Sequence, residues 1–235
     1  MCIIAIKGYG VEYPSTDRVK TMCINNPDGF ALAYYVKGAD GFDVFRTMNR
    51  DEFIAEYESI KERHNKDDIG LFIHARISTH GSNKLENCHG WVDKDCGLGF
   101  AHNGILSIQN RDDMTDSETF FRDLFIPAFS IGGWTAGDRA VNAVIGNSKF
   151  VFINASGSIR YYGDYIRDED GCLYSNYTYR NFGYNRLGCN SYGGWGGSSK
   201  KGKESESIEE NDQYSWWNDY DYDYDGWYDR EYYGH

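Results

Sequence analysis

The chain has 235 residues, 40% of them hydrophobic and 17% aromatic, which is length for one domain with a tail and enough apolar content for a buried core. The net charge of −12 is local: residues 204–235 hold eleven acids against one base, Arg230, while the other 203 residues carry 25 acids and 23 bases. Neither part has the basic footprint that phosphate backbones demand, so nucleic-acid binding is not expected. No stretch approaches the roughly 18 apolar residues of a spanning helix, and no membrane association is expected. The opening MCIIAIKGYG is too short in its apolar run, and lacks the basic residues, for a secretory signal. A cytoplasmic location is expected.

The first segment, CIIAI, is a short β-branched apolar run and reads as a buried strand. Ser15 to Asn26 reads as a helix capped by Ser15, followed by a turn at Asn26-Pro27-Asp28-Gly29. FALAYYVKG and FDVFRTM read as two strands joined by a Gly/Asp turn. Asp51 to His64 reads as a helix, because Phe53, Ile54, Tyr57, Ile60 and the Lys61 stem line one face. IGLFIHARIST is a strand, and GLGFAHNGILSI reads as two strands about Asn103-Gly104. Ser117–Ala128 and Thr135–Ile145 are helical segments; KFVFINASGSIRYYG is a hairpin, and GCLYSNYTYR follows it. Runs of adjacent strands argue against a doubly wound parallel sheet and for an α+β arrangement of antiparallel sheets with helices outside.

Composition changes near Asn181. Residues 181–203 are rich in glycine and serine and read as a linker. Residues 204–235 interleave aromatic and acidic side chains; a disordered acidic tail is favoured over a strand, whose polar face would carry repeated like charges. The division is therefore 1–180 as the domain, then linker, then tail. The six cysteines include no CxxC pair. As a zinc site, Cys88, His89 and Cys96 rank below ordinary thiols, since they offer three soft ligands and no second half. No metal or cofactor is called for.

Four segments carry the chemistry: Met1-Cys2, HARISTHGS at 74–82, AHNGIL at 101–106 and TDSE at 115–118. Each has an ordinary reading by itself. A cysteine in a strand is usually small core filler. Asn103-Gly104 is also the strongest short signal for a type I′ hairpin turn. Thr115 with Glu118 is a capping box, and Arg76 in an apolar strand can pair with a core carboxylate.

In this order the segments resemble the class II glutamine amidotransferase domain. The family opens on a catalytic cysteine, exposed by removal of the initiator methionine or a propeptide. NPDGF is similar to its Asp-Gly segment; His74, Arg76, Thr79 and Gly81 match its His-x-Arg-x-x-Thr-x-Gly strand, with His80 and Ser82 also resembling common choices. Asn87-Cys88-His89 resembles its Asn-x-His-Pro segment, with Gly90 where proline is usual. Phe100 to Gly104 matches its oxyanion segment and Thr115 to Glu118 its Ser-Asp-Ser/Thr-Glu segment. The likeness covers about residues 2–180.

The resemblance implies a four-layer αββα sandwich of two antiparallel sheets with outer helices, the N-terminal-nucleophile hydrolase fold. It implies Cys2 as nucleophile, with its own freed α-amine as base, forming a thioester with glutamine and releasing ammonia. Asn103 and Gly104 would supply the oxyanion donors, Arg76 would grip the glutamine carboxylate, and Asp116 would grip its ammonium. Thr79 and His80 would help to orient the site. Ile77 stands where some members carry an aromatic residue, and no synthase domain is recognisable in the 55 residues after position 180. The acceptor of the ammonia is thus expected on a partner protein, as for the short standalone copies of this domain that the chain resembles. Two other readings stand beside this one. The fold would also suit hydrolysis of another γ-glutamyl or acylamino bond, although Arg76 and Asp116 fit a free amino acid better. The acidic aromatic tail alternatively marks an interaction protein.

Overall fold

The computed structural model describes residues 2–78, 84–111 and 114–180; Thr79, His80, Gly81 and Ser82 of the arginine motif, and the linker and tail segments, lie outside the described residues. In chain order the elements are β1 (Ile3–Lys7), α1 (Thr16–Asn25), β2 (Phe30–Val36), β3 (Asp43–Thr47), α2 (Arg50–Arg63), β4 (Ile69–Ala75), β5 (Trp91–Asp93) and β6 (Leu98–Asn103). Then come α3 (Asp116–Thr119), a π-helical stretch at Phe120–Phe125, α4 (Ile126–Val144), β7 (Lys149–Asn154), β8 (Ile159–Tyr162), β9 (Ile166–Arg167) and β10 (Leu173–Tyr174). Among the described residues the strands form two sheets, ordered β3-β2-β4-β1-β10-β9 and β5-β6-β7-β8. Every pairing in them is antiparallel.

Alternation along the strands builds the layers, since successive side chains point to opposite faces. Ile3, Ala5, Phe30, Leu32, Leu71 and Ile73 of the first sheet pack with Val19 and Met22 of α1 and with Phe53, Tyr57 and Ile60 of α2. Ile4, Ile6, Ala33 and Phe72, on the opposite face, meet Ala101, Val151 and Ile153 of the second sheet. That sheet's other face presents Leu98, Phe100, Phe150 and Phe152 to Phe120, Phe121, Phe125 and Val141 of the helical segment. Three apolar layers between four strata of secondary structure make an α+β sandwich of the αββα kind, as expected.

Local chemistry accounts for most boundaries. The Ser15 hydroxyl accepts from Arg18 N–H and starts α1. The Asn49 side-chain oxygen Oδ1 accepts from the Asp51 and Glu52 N–H groups and starts α2 one residue before the apolar spacing suggests. The Thr115 hydroxyl caps α3 by accepting from Glu118 N–H, but the Glu118 carboxylate goes forward to Arg122 instead of closing the box. The two expected helical segments after Ser117 meet near Gly132 and Gly133, whose backbone leaves the helical region.

One expectation fails. Asn103-Gly104 is not a hairpin turn, and ILSI is not a strand: Asn103 ends β6 and pairs with Lys149 of β7. Gly104 takes φ = +150° rather than the roughly +90° of the second central residue of a type I′ turn, and a Cβ there would run into Ser148, 2.9 Å from its Cα. A contact distant in the chain thus overrides the short-range signal.

Lys7 closes the far end of β1. It is fully buried, and its ammonium donates to the carbonyls of Gly8, Lys66 and Ile69. Three donors meet three acceptors, which is how a buried cation is tolerated.

Phe100 stacks on Phe121, Phe150 and Trp91 and tilts against Phe120 and Phe152, with no exposed surface. Phe100→Ala is expected to cost roughly 3–5 kcal/mol of unfolding free energy. Urea denaturation reads it, and a loss below about 1 kcal/mol would show that this aromatic layer does not hold the second sheet to its helices.

Candidate functional site

Four strand ends meet at one end of the sandwich. In the β1–β4 ladder Ile3 stands opposite Ala75, and in the β2–β4 ladder Phe30 does too. One step beyond the ladders, Cys2 and Arg76 become neighbours, and both share the parity of the residues that face between the sheets. The Cys2 thiol donates to the Ile77 carbonyl at 3.6 Å. Burial raises the thiol's pKa, and the positive charge of Arg76 works against that shift.

Arg76 is 4% exposed and held on both sides by the NPDG turn. Its N–H donates to the Gly29 carbonyl at 2.8 Å, and its carbonyl accepts from Asp28 N–H at 2.9 Å. The Asp28 carboxylate accepts from Ser78 N–H, and the Arg76 guanidinium donates to the Ser78 hydroxyl. Gly29 has φ = +129°, and a side chain there would overlap the Cys88 sulfur. The turn therefore shapes the arginine's surroundings.

Asn103 comes from the second sheet. Its Nδ2 donates to Ser175 Oγ at 2.8 Å, and its buried Oδ1 has no partner among the described residues. Asp116 ties the segment after Gly104 to the start of α3: Oδ2 accepts from Leu106 N–H, and Oδ1 accepts from the Ser117 N–H and hydroxyl. Three of the roughly four acceptor directions of that carboxylate are used locally. Cys2, Arg76, Asn103 and Gly104 thus lie at converging strand ends, and Asp116 is joined to them through Leu106.

Two sets of contacts are not announced by the sequence. Ser175 and Asn176, directly after β10, bond to Asn103, to Ile4 and to the Cys2 carbonyl. Nothing in a Ser-Asn dipeptide announces such contacts. The other set is a stack of imidazoles. His74 and His89 lie 3.9 Å apart between ring centroids, and His89 and His102 lie 6.2 Å apart, each pair nearly parallel. His89 Nδ1 accepts from the His102 backbone N–H at 3.0 Å. Ser117 gives its hydroxyl hydrogen to Asp116, so His102 carries its proton on Nδ1 and donates to Ser117 Oγ at 2.7 Å. Among the described residues neither His74 ring nitrogen has a hydrogen-bond partner.

Burial keeps these rings neutral. It lowers His74 to about 3 and His102 to about 4, and it holds His89 well below the ordinary imidazole value. The Arg76 charge adds to the effect at His74 and His89. The three residues considered for zinc diverge. Cys88 Sγ contacts Met48 Sδ, Cys96 Sγ contacts Ser130 Oγ, and His89 joins the stack. Among the described residues no group of three His, Cys, Asp or Glu is placed to hold a metal ion.

No model of a known protein family matches the chain. No curated protein matches it either. Among solved structures, it is similar to a glutamine phosphoribosylpyrophosphate amidotransferase from B. subtilis, complexed with ADP and GMP, at 13% identity over 74% of this chain and 42% of that one, with a TM-score of 0.49. It is also similar to a glutamine aminotransferase class-II domain protein from Silicibacter pomeroyi, at 15% identity over 74% of this chain and 87% of that one, TM-score 0.44. A third is the allosteric regulatory enzyme of purine biosynthesis, at 14% identity over 74% of this chain and 41% of that one, TM-score 0.47. The chain thus spans about two fifths of the first and third structures. At such low identity the function has to be read from this chain's own residues.

The imidazole stack has a measurable consequence. A histidine with its folded pKa depressed contributes stability that is complete above about pH 6.5 and is lost as pH falls toward the folded value. With His102 near 4 and His74 near 3, unfolding free energy should fall below pH 6.5 by about 1.4 kcal/mol per pH unit for each histidine. His74→Phe removes two unpartnered nitrogens and one such group. Its urea midpoint should match or exceed the parent's at pH 7 and decline less steeply toward pH 4.5. An unchanged slope would show that His74 is not held neutral.

Proposed function

We propose that residues 1–180 form a class II glutamine amidotransferase domain, with Cys2 as an N-terminal nucleophile once its α-amino group is freed. One observation carries the reading: motif segments far apart in sequence reach the same end of the sandwich. Cys2 leads β1, Arg76 follows β4, and Asn103 ends β6 with Gly104 directly after it. These residue types answer the three needs of amide hydrolysis, which are a nucleophile, a grip on the substrate and donors for an oxyanion.

The half-buried Cys2 thiol, its pKa raised by desolvation, does not ionise unaided at neutral pH and requires a base. The freed α-amine belongs to the same residue, and such amines ordinarily titrate at about 7.7–8.0, which suits that role. The sulfur attacks the carbon of the glutamine side-chain amide, and the thiol proton passes to the amine. The tetrahedral oxyanion accepts from Asn103 Nδ2–H and Gly104 N–H. Collapse breaks the C–N bond and returns the proton to the leaving ammonia, and water then cleaves the thioester to give glutamate. Arg76 offers the planar two-donor fork that suits the substrate carboxylate. Asp116 receives the substrate ammonium, and Thr79 and His80, which follow the arginine in the sequence, orient the site. The ammonia goes to an acceptor on a partner protein. The acidic, aromatic residues 204–235 suit a basic partner surface, with charge steering the encounter.

Ammonia release from glutamine tests the reading. Cys2→Ala should abolish turnover while glutamine binding persists in calorimetry, because the nucleophile is lost and the grip is not. Arg76→Lys should raise KM for glutamine about tenfold or more, since a point charge does not reproduce the fork. The intact mass of the active protein should correspond to a chain beginning at Cys2. Full activity with Met1 retained, or an unchanged KM in Arg76→Lys, would overturn the assignment.

A further inference from the structure

The residues around β10 do more than finish the first sheet. Ser175 Oγ accepts two hydrogen bonds at 2.8 Å, one from Ile4 N–H on β1 and one from Asn103 Nδ2 at the end of β6. The Ser175 N–H donates to the Ile4 carbonyl at 2.9 Å, so this residue is stitched to β1 on both sides. The next residue, Asn176, donates from Nδ2 to the Cys2 carbonyl at 2.7 Å, and its Oδ1 accepts from the Thr178 N–H and hydroxyl. Ser175 is 5% exposed and Asn103 3%, so neither can trade these bonds for water.

We infer that Ser175 and Asn176 form a bracket that fixes the Asn103 carboxamide relative to Cys2, and that Ser175 is a positioning residue for the oxyanion donor. This rests on the amidotransferase reading for its catalytic consequence and on geometry alone for its existence. Asn103 and Cys2 belong to different sheets, and Asn103 is held across that gap by its bond to Ser175 Oγ. A carboxamide turns freely about its last torsion unless a partner fixes it. Two hydrogens sit on Nδ2; Ser175 takes one and thereby aims the other. An oxyanion donor acts only if it is aimed before the charge develops, so a hydroxyl that touches no substrate here sets the barrier. Ile4 N–H on the same oxygen keeps the strand that follows Cys2 in step with Asn103. Asn176 fixes the Cys2 carbonyl, and with it the backbone from which the thiol projects.

The test combines kinetics with a signal that needs no turnover. Ser175→Ala should lower kcat for glutamine at least tenfold while KM stays within about threefold. The double variant Ser175→Ala/Asn103→Ala should be no slower than Asn103→Ala alone, since the bracket acts only through that carboxamide. In ¹⁵N-labelled Cys2→Ala protein, the Asn103 side-chain NH₂ resonances, identified by their loss in Asn103→Ala, should exchange slowly with solvent. Ser175→Ala in that background should shift them and speed their exchange. A kcat within twofold of the parent, losses that multiply in the double variant, or fast exchange in the unaltered pair would overturn the bracket. The exchange measurement needs no change at position 175 and stands even if Ser175→Ala fails to fold. Absence of ammonia release from the parent protein would instead overturn the amidotransferase reading, with the NH₂ exchange still deciding the bracket.

Discussion

The antiparallel register that sets Ile3 opposite Ala75 is the constraint on which the rest of this structure depends. Side chains alternate with period two, so a slip of one residue would turn Ile4 and Ile6 toward the helices and Ile3 and Ala5 toward the second sheet. Cys2 shares the parity of Ile4 and would turn with them. The same register brings Arg76 beside Cys2, and the β2–β4 register then delivers Asp28 and Gly29 to the arginine backbone. Burial enforces the choice: Ile3, Ile4, Ile73 and Ala75 expose nothing, and each large apolar side chain so buried contributes about 1.5–3 kcal/mol. The site is a by-product of the layer packing that stabilises the fold.

The electrostatics follow from the same burial. The guanidinium of Arg76 is embedded beside imidazoles that desolvation keeps neutral, so it does not face a second buried cation. Within the stack the ring contacts and the His102 N–H bond to His89 recover part of the cost of enclosing polar rings. The remainder stays as nitrogens on His74 and His102 and the Asn103 Oδ1 that have no partner among the described residues, all close to the candidate site. Unsatisfied buried groups persist where the surroundings hold them in place, and functional sites are where they are found most often.

Much of this is legible in the sequence because it is locally encoded. CIIAI, FALAYYV and KFVFIN are β-branched or aromatic runs of strand length, and Ser15 and Thr115 announce their helices by a hydroxyl at the cap. Cys2, Arg76 and Asn103 stand out because the order of their motifs resembles a family pattern. What cannot be read depends on partners distant in the chain. Asn103-Gly104 has the composition of a turn, but its geometry is decided by Ser148 and by pairing with β7. Ser175 takes its importance from Ile4 and Asn103, 171 and 72 residues away. The histidines at 74, 89 and 102 carry no mutual spacing that would predict a stack, since three separate strands and loops supply them. The three-residue β5 at Trp91 escapes notice because so short a strand has no periodicity to detect.

The central proposal is that Cys2 is the nucleophile of a site that takes free glutamine. A glutamine analogue carrying a chloroketone in place of the side-chain amide, followed by peptide mass mapping, addresses it directly. One adduct should form, on Cys2, with excess glutamine slowing its formation and Arg76→Lys weakening the capture. Labelling of Cys96 at the same rate, or a Cys2 adduct that glutamine does not slow, would contradict the account.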